Sequence, residues 1–535
     1  MSTQPLPLSR HYHQRTKYTP ESLRQRTRPI DWASQPELFK DYKIGMTYPL
    51  RPYLEEPNNE DVDNLDPEVK QQRKRLSRLL LCSYGLTVKV LTRSGESLFL
   101  RAAPSAGGLY PVEVYLVSRG TPFLPAGLYH YQPKDHSLKR FWDSDVWRAL
   151  QMSCFWHPNL DDTQLALVTT AIYHRSAWRY RARAYRRILL DTGHVLGNVE
   201  MACAINGYRP HLIGGFADEA VNQMLYLDAE QEGAIAILAL ANRLDIRENL
   251  PLAPTALPSK TRTQYPGLAD DELLSQLHQA SSISPKRDVN WKAIAKHNTS
   301  QNASSSAKLP ETKELSPSSA VIQDKYNFPF CLKVETSITP PIQWGTDLLA
   351  LESTLLKRRS TRKYTGHNLT LDDLKLLFDF TYQAQHYIEQ GLDPKPDYFA
   401  PELVETFIVV SGIEDLDEGC YYYAPHAQEL RQIRFRNFRE DLHYLCLGQE
   451  LGRDASAVIF HTADLKQAVS QYGDRAYRYL HLDAAHLGQR LNVAATHLGL
   501  GVSGIGGFFD DAVNDVLGIP AEEAVLYITT LGKPQ

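Results

Sequence analysis

The chain repeats itself at a constant separation of about 292 residues. Arg183-Ala-Tyr-Arg186 returns as Arg475-Ala-Tyr-Arg478, and the same shift carries residues 104–225 onto 396–517 without a gap. A fixed period sets the architecture of a chain, and two copies of this length are too long to be solenoid units. The pattern therefore predicts two like domains fused in one chain, which form an intrachain pseudodimer.

Length and composition agree with this prediction and narrow the functional classes. At 535 residues the chain is too long for one hydrophobic core. A net charge of −4 gives no electrostatic reason to expect nucleic acid or a membrane surface as a partner. The sequence has neither an apolar run long enough to span a bilayer nor a signal-peptide core at its start. Its six cysteines form no CxxC pair, so we expect a cytoplasmic protein without a zinc or disulfide framework.

The composition divides the chain into three parts. Residues 1–249 form the first predicted domain, and residues 321–535 form the second. Residues 250–320 are rich in proline, serine and asparagine and offer few side chains for a core, so they are predicted to be a flexible linker. Within this linker, Asp270–Leu277 has the pattern of a short helix.

Each copy mixes helical and strand patterns. Val112–Val117 and Val404–Val409 are β-branched and aromatic runs that are typical of strands. Leu371–Phe378 has apolar residues at helical spacing after Thr370, a suitable N-cap, and Arg475–His497 is a long amphipathic helix. The predicted fold class is α+β, with a mixed or antiparallel sheet flanked by helices in each domain.

Three segments carry candidate chemistry. Lys357–Lys363 holds five cations and two hydroxyls, which suits a phosphate, although a solvated loop has the same composition. Pro104–Pro111 contains two glycines that let the backbone approach a flat ligand or form a tight turn. Gly504–Asp510 offers backbone N–H groups after the long helix. It does not have the GxGxxG spacing of a strand–helix turn, so a Rossmann site is not supported.

Together these segments resemble the SagB/ThcOx-type dehydrogenases, flavin enzymes of the nitroreductase-like superfamily. Pro104-Ser-Ala-Gly-Gly-Leu-Tyr-Pro111 is the most diagnostic string of the resemblance. His11–Lys17, followed by Asp31-Trp32, and Gly127–Tyr131 are similar to other segments of that family. The resemblance covers nearly all of the chain except the linker, and it implies two nitroreductase-like domains in tandem.

The resemblance also implies a cofactor. Members of the family are homodimers that bind FMN at the subunit interface. One subunit supplies the arginine motif and the late glycine loop, and the other supplies the Pro-Ser-Ala-Gly-Gly turn. In this chain the first copy would contribute Pro104, Ser105, Ala106, Gly107 and Gly108. The second copy would contribute Arg358, Arg359, Ser360, Arg362, Gly504, Ile505, Gly506, Gly507 and Lys533.

The two copies have lost different halves of this site. In the second copy, the shift places Pro396–Ala400 where the turn should be. In the first copy, the arginine motif falls on Asp61–Pro67, whose three aspartates repel a phosphate. The resemblance therefore implies one FMN between the domains and a second site that is empty or repurposed.

Azoline-oxidising members of the family carry a Lys-Tyr pair in a KYGxRxYR stretch that handles the substrate proton. The matching segments, Arg179–Arg186 and Gln471–Arg478, keep the tyrosines, so Tyr180 and Tyr472 are the candidate catalytic residues. Neither segment keeps the lysine. Glutamine is no base and arginine stays protonated, which puts azoline oxidation in doubt but not the flavin site.

Other charged residues of the long helices have simpler interpretations. Asp191 with His194, and Asp483 with His486, recur at i, i+3 on one helix face. A metal or acid–base role would need a third group, which neither copy supplies nearby, so we favour a hydrogen bond at the domain interface and predict no metal site. Interface ion pairs are the favoured interpretation of the repeated arginines, which are Arg183, Arg186, Arg475 and Arg478.

The sequence thus predicts an FMN-dependent oxidoreductase in which the flavin carries the hydride. Its substrate would be a small molecule or a peptide-derived heterocycle. Two alternatives stay open. One is a nitro or quinone reductase with NAD(P)H as electron donor. The other, motivated by the missing lysines, is a flavin-binding pseudoenzyme that serves as a partner or recognition module.

Overall fold

The computed structural model describes residues 5–25, 30–54, 65–91, 97–242, 253–287, 289–291 and 324–535. Within these ranges the chain forms two seven-stranded antiparallel sheets, one in each copy, with helices packed around them.

The described part of the first copy contains nine strands. These are β1 (Met46–Pro49), β2 (Leu86–Leu91), β3 (Ser97–Arg101), β4 (Val112–Ser118), β5 (Gly127–Gln132), β6 (Ser137–Trp142), β7 (Leu165–Ile172), β8 (Tyr208–Ile213) and β9 (Glu232–Asn242). The sheet order is β1-β6-β5-β4-β7-β9-β8, and β2 and β3 form a separate hairpin. The helices are α1 (Leu8–Arg15), α2 (Pro20–Gln25), α3 (Pro67–Tyr84), α4 (Trp147–Ser153), α5 (Tyr173–Tyr180), α6 (Ala184–Ile205) and α7 (Asp218–Met224).

The second copy repeats this sheet. After α8 (Leu273–Ala280), its strands are β10 (Lys333–Glu335), β11 (Glu405–Val410), β12 (Gly419–Ala424), β13 (Glu429–Arg434), β14 (Ala457–Ala463), β15 (Gly501–Ile505) and β16 (Ala524–Gly532). Their order, β10-β13-β12-β11-β14-β16-β15, matches the first sheet position by position. The helices are α9 (Leu349–Lys357), α10 (Leu371–Tyr382), α11 (Arg439–Leu445), α12 (Glu450–Arg453), α13 (Leu465–Tyr472), α14 (Ala476–His497) and α15 (Asp510–Leu517). The predicted α+β class and the duplication are confirmed.

The helices α6 and α14 join the two domains at the centre of the molecule. Both are buried along nearly their whole length, as expected for helices enclosed on all sides. A Cβ atom at Gly193 would lie 2.4 Å from the Leu482 carbonyl oxygen, and one at Gly197 would lie 2.9 Å from Gln489 Cβ. The two helices therefore touch closely because glycine stands at both positions.

Two matching clusters of buried charge reinforce this contact. Arg183 and Arg186 of the first copy donate to Asp510 of the second, at 2.7 and 2.6 Å. The reverse arrangement, with the same two distances, is formed by Asp218, Arg475 and Arg478. Burial raises the pKa of each aspartate, but the two arginines outweigh burial and hold that pKa below its usual value. The interpretation of the repeated arginines as interface ion pairs is confirmed.

In the second charge cluster, part of the predicted linker occupies the position that the N-terminal helix α1 occupies in the first cluster. Arg478 donates to the His278 carbonyl oxygen at 2.8 Å and to the Ser281 hydroxyl at 2.7 Å, at the end of α8. Arg186 makes the same two kinds of contact with the end of α1, at 2.8 and 3.1 Å. The short extended segments after the two helices also pair alike, as Tyr18 with Phe509 and as Ile283 with Ala217.

Residues 253–287 therefore do not form the flexible tether that was predicted for 250–320. Leu273 and Leu277 are buried, and this four-residue spacing lets α8 pack by one face. Composition misled the prediction because the prolines and most of the serines of this segment flank the helix. The domain bounds stay a prediction, and residues 243–252, 288 and 292–323 lie outside the described residues.

One helical stretch of the described chain, Tyr173–Ile205, is long and apolar enough to cross a membrane. It comprises α5 and α6. The protein itself buries 89% of its most apolar window, which is the behaviour of a core helix.

We predict that Asp510→Asn and Asp218→Asn each destabilise the protein by about 3 kcal/mol or more, because each leaves two buried arginines without their charged partner. Urea denaturation would measure the loss. Asp441→Asn is the control, since Asp441 pairs with Arg436 at the surface and should matter little. Equal midpoints for all three variants would contradict the role given to the buried clusters.

Candidate functional site

A cavity opens between the domains where the three predicted segments meet. The first copy lines it with its glycine turn and one face of α6, through Pro104, Ser105, Ala106, Gly107, Arg187, Leu190, Asp191 and His194. The second copy lines it with the arginine motif, α14, β16 and the end of β15, through Ser360, Arg362, Asn492, Gly504, Gly506 and Tyr527. Segments from the two copies, far apart in the sequence, are thus brought to one site by the domain contact.

Hydrogen bonds to a carboxylate on α6 hold the glycine turn in place. Ser105 Oγ donates to Asp191 at 2.6 Å, and the Ala106 backbone N–H donates to the same side chain at 3.0 Å. Ser105 Oγ in turn accepts from the Tyr110 N–H at 2.8 Å. Gly107 adopts a positive φ of 66°, which glycine tolerates. The turn therefore presents bare backbone to the cavity.

The arginine motif follows α9 and reaches across the interface. Arg358 is 3% exposed, and its Nε donates to the Ala102 carbonyl oxygen of the first copy at 2.9 Å. Its Nη1 is buried with no partner among the described residues. Burial lowers the pKa of Arg358 to about 10. Arg359 instead binds the carbonyl oxygens of Leu356 and Arg358, so it stabilises the end of α9.

The glycines of the late loop leave room for side chains from elsewhere. A Cβ atom at Gly504 would lie 1.8 Å from Tyr527 Oη, and one at Gly506 would lie 1.6 Å from Arg187 Nη1. Ile505, between them, is buried in the core of the second domain. The loop thus offers backbone to the cavity and holds Arg187 and Tyr527 against it.

Asp191 and His194 act as structural hydrogen-bonding groups. His194 Nδ1 donates to the Leu190 carbonyl oxygen at 2.7 Å, and its Nε2 lies 3.0 Å from Tyr527 Oη of the other domain. Burial lowers the pKa of His194 to about 4 and raises that of Asp191 to about 7. The predicted hydrogen bond across the interface is confirmed for His194, whereas Asp191 bonds within its own domain. The described residues contain no cluster of three or more His, Cys, Asp or Glu side chains able to hold a metal.

The remaining predicted residues divide between the cavity and other places. Tyr180 lies beside the glycine turn, because a Cβ atom at Gly107 would be 2.8 Å from its hydroxyl. Tyr472 does not line the cavity; its ring lies 5.6 Å from that of Tyr479 in the second domain. Lys533 is exposed at the chain end, where its carbonyl oxygen accepts from the Thr365 N–H. Gly108 and Gly507 flank lining residues without lining the cavity themselves.

The symmetry-related position is filled by aromatic side chains. Tyr398 and Phe399 stand where the first copy has Ala106 and Gly107. The Phe399 ring stacks on Tyr479 with centroids 4.9 Å apart. A Cβ atom at Gly214, the counterpart of Gly506, would lie 2.3 Å from the Phe399 ring. The space that is open at the first site is closed here.

The aspartates that replace the arginine motif lie mostly outside the described residues. Residues 61–64 are not described, and Asp66 serves as the N-cap of α3, where it accepts from the Glu68 N–H at 2.9 Å. Asp483, the counterpart of Asp191, still caps its turn by accepting from the Phe399 and Ala400 N–H groups. The hydrogen bonds that hold the turn are therefore retained at the second site, although the open space of the first site is not.

Sequence reasoning missed four lining residues, which are Arg187, Leu190, Asn492 and Tyr527. Arg187 could have been found, because the 292-residue shift pairs it with Tyr479 while neighbouring residues repeat. Tyr527 and Asn492 gave no signal, since they come to the cavity from β16 and α14 only through tertiary packing.

The chain belongs to the nitroreductase family. That family matches residues 67–241 and 355–533, one stretch in each copy, and its members generally bind flavin. The chain is therefore a nitroreductase-like oxidoreductase in two tandem copies.

Several relatives agree with this assignment. A crystal structure from Anabaena variabilis, described by inference as a nitroreductase, is 58% identical over 99% of this chain and 100% of that chain, with a TM-score of 0.87. Protein MJ1384 of Methanocaldococcus jannaschii, also named a nitroreductase by inference, is 30% identical over 35% of this chain and 91% of its own. The microcin B17-processing protein McbC of Escherichia coli is 30% identical over 24% of this chain and 49% of its own. This last similarity supports the SagB/ThcOx type that the motifs predict.

The two capping carboxyls should make stability fall with rising pH. Burial raises the pKa of Asp191 to about 7 and of Asp483 to about 8, above the ordinary 3.8. Their contribution is thus complete below about pH 4 and is lost as the pH rises through 7 and 8. In urea unfolding between pH 5 and 8.5, Asp191→Asn with Asp483→Asn should flatten this decline, by on the order of a few kcal/mol. A double variant with the wild-type pH profile would contradict the assignment.

Proposed function

We propose that this chain is an FMN-dependent oxidoreductase of the SagB/ThcOx type, with one FMN bound between its two domains. One observation carries the proposal. The cavity combines the glycine turn of the first copy with the arginine motif and glycine loop of the second, and its symmetry-related counterpart is closed by Phe399, Tyr398 and Tyr479.

The residues present fit such a cofactor. Arg358 has a buried Nη1 without a partner among the described residues, which an oxyanion could satisfy. Arg358 itself is not a lining residue, but Ser360 and Arg362 of the same motif line the cavity with a hydroxyl and a second guanidinium. The turn at Gly107 and the loop at Gly504 and Gly506 present backbone rather than side chains, as a flat ring requires. We therefore assign the phosphate to the arginine motif and the ring to the glycine segments.

Bound FMN would supply a ring that accepts or gives a hydride. The protein's part is to hold that ring and to place donors beside it. Burial raises the pKa of Tyr180, so its phenol stays protonated near neutral pH and can donate a hydrogen bond or a proton. Arg179, which stands where the family has lysine, is always charged and can orient an anion but cannot accept a proton.

The substrate is proposed at the level of a class. McbC is by its name a processing protein of microcin B17, which favours a peptide-derived substrate for this chain. The missing lysine disfavours an azoline that must lose a proton to that residue. A nitro or quinone compound reduced at the expense of NAD(P)H stays the second candidate, since Tyr180 suffices as a proton donor for it.

The arginine motif provides the first test. Arg358→Ala with Arg362→Ala should weaken FMN binding at least a hundredfold, because two charge-assisted hydrogen bonds are worth about 1.5–3 kcal/mol each. Fluorescence titration of the flavin-free protein measures the affinity. Arg436→Ala removes an exposed arginine remote from the cavity and serves as control. Unchanged FMN affinity in the double variant would refute the cofactor assignment.

The two repeated tyrosines provide the second test. Tyr180→Phe should slow reoxidation of the dithionite-reduced enzyme by benzoquinone at least tenfold, because a positioned general acid contributes about 10²–10⁴-fold. Tyr472→Phe, the matched variant away from the cavity, should stay within about twofold of the wild type. Stopped-flow absorbance follows both reactions. If the effects were reversed, Tyr472 would be the catalytic tyrosine.

A further inference from the structure

Arg187 is a buried cation in the wall of the cavity. It lies on α6 and is 5% exposed. No oxygen of the described residues accepts a hydrogen bond from it, and its Nε is buried without a partner. Its guanidinium carbon lies 4.6 Å from the centre of the Tyr180 ring. The nearby carboxyl group of Asp191 attracts Arg187 electrostatically, but its oxygens accept hydrogen bonds from Ser105 and Ala106 and none from Arg187.

Such a charge calls for an anion. Buried charges in proteins are normally paired, because leaving one unpaired costs several kcal/mol. The attraction between the guanidinium and the quadrupole of one tyrosine ring offsets only a small part of that cost. Arg187 lines the cavity, so an anion bound there can pair with it.

The position of Arg187 distinguishes it from the phosphate motif. The Nη1 atom of Arg187 occupies the space next to Gly506. Its guanidinium stacks on the ring of Tyr180, whose hydroxyl lies next to Gly107. Arg187 thus connects the two glycine segments that we assign to the ring. Arg358 instead contacts Ala102, and no contact joins it to Arg187 among the described residues.

The second copy provides an internal comparison. Leu190, Asp191 and His194 of α6 all have the same residue at their counterparts in α14. Arg187 does not, because its counterpart is Tyr479, which helps to fill the closed site. The residues that hold the turn are kept in both copies, whereas the unpaired cation is present only where the cavity is open. A purely structural role for Arg187 does not explain this difference.

We propose that Arg187 is a positioning residue for the redox state of the cofactor: its fixed positive charge stabilises the reduced ring, which carries negative charge, over the neutral oxidised ring. This inference rests on the proposed FMN site. Unit charges within about 5 Å, at an effective dielectric constant of about 20, change an equilibrium more than tenfold. Removing the charge should therefore lower the two-electron midpoint potential.

The experiment compares holoenzymes. Arg187→Gln and Arg187→Met remove the charge without adding an aromatic ring to the cavity, and Arg187→Lys keeps it. The midpoint potential is measured by dye-coupled photoreduction, together with the dissociation constant of oxidised FMN. We expect both neutral variants to favour the oxidised form at least tenfold, which is about 30 mV for a two-electron couple. Arg187→Lys should recover most of the wild-type value, and Arg436→Gln should leave it unchanged.

Two results would overturn the inference and leave the proposed function intact. One is an unchanged potential in Arg187→Gln with one FMN still bound. The other is loss of oxidised FMN from the neutral variants under conditions that saturate the wild type, since this would make Arg187 a binding residue for the oxidised cofactor. A wild-type protein that binds no FMN refutes the proposed function itself.

Discussion

Everything at the candidate site depends on the close contact between α6 and α14. Glycine at positions 193 and 197 lets the two helices touch, and buried aspartates at positions 218 and 510 fix how the domains sit against each other. Because α6 also carries the carboxylate that caps the glycine turn, the same helix sets the domain contact and the floor of the cavity. The arginine motif can reach the turn only because this contact brings the copies together.

The duplication then explains why the molecule is asymmetric. In a dimer of identical subunits, two sites must change together. In a fused chain, each half-site can change alone, and here the two copies have kept complementary halves. The second site has lost its open space, because the large rings of Phe399 and Tyr479 occupy it, while Asp483 still accepts a hydrogen bond from the turn. Aromatic packing in that space also stabilises the interface, which gives the closed site a structural use.

The sequence was sufficient for the fold and for most of the cavity. A constant shift predicted the duplicated domain and the interface arginines, and the resemblance to SagB/ThcOx-type dehydrogenases implied the meeting of the turn, the arginine motif and the glycine loop. The sequence did not predict that residues 253–287 pack against the domains, because the burial of Leu273 and Leu277 depends on the surface that they cover. Nor did it predict Tyr527 or Asn492 at the cavity, which are brought there by tertiary packing alone. Of the two repeated tyrosines, Tyr180 lies beside the glycine turn that lines the cavity, and a single sequence could not choose between Tyr180 and Tyr472.

We propose above all that the two half-sites form a single functional site per chain. Quantifying the flavin released from the purified protein, per polypeptide and after saturation with FMN, tests it most directly. We expect about one FMN per chain. Two would mean that the position filled by Tyr398, Phe399 and Tyr479 also binds the cofactor, and none would mean that the cavity has another ligand; either result would contradict the account.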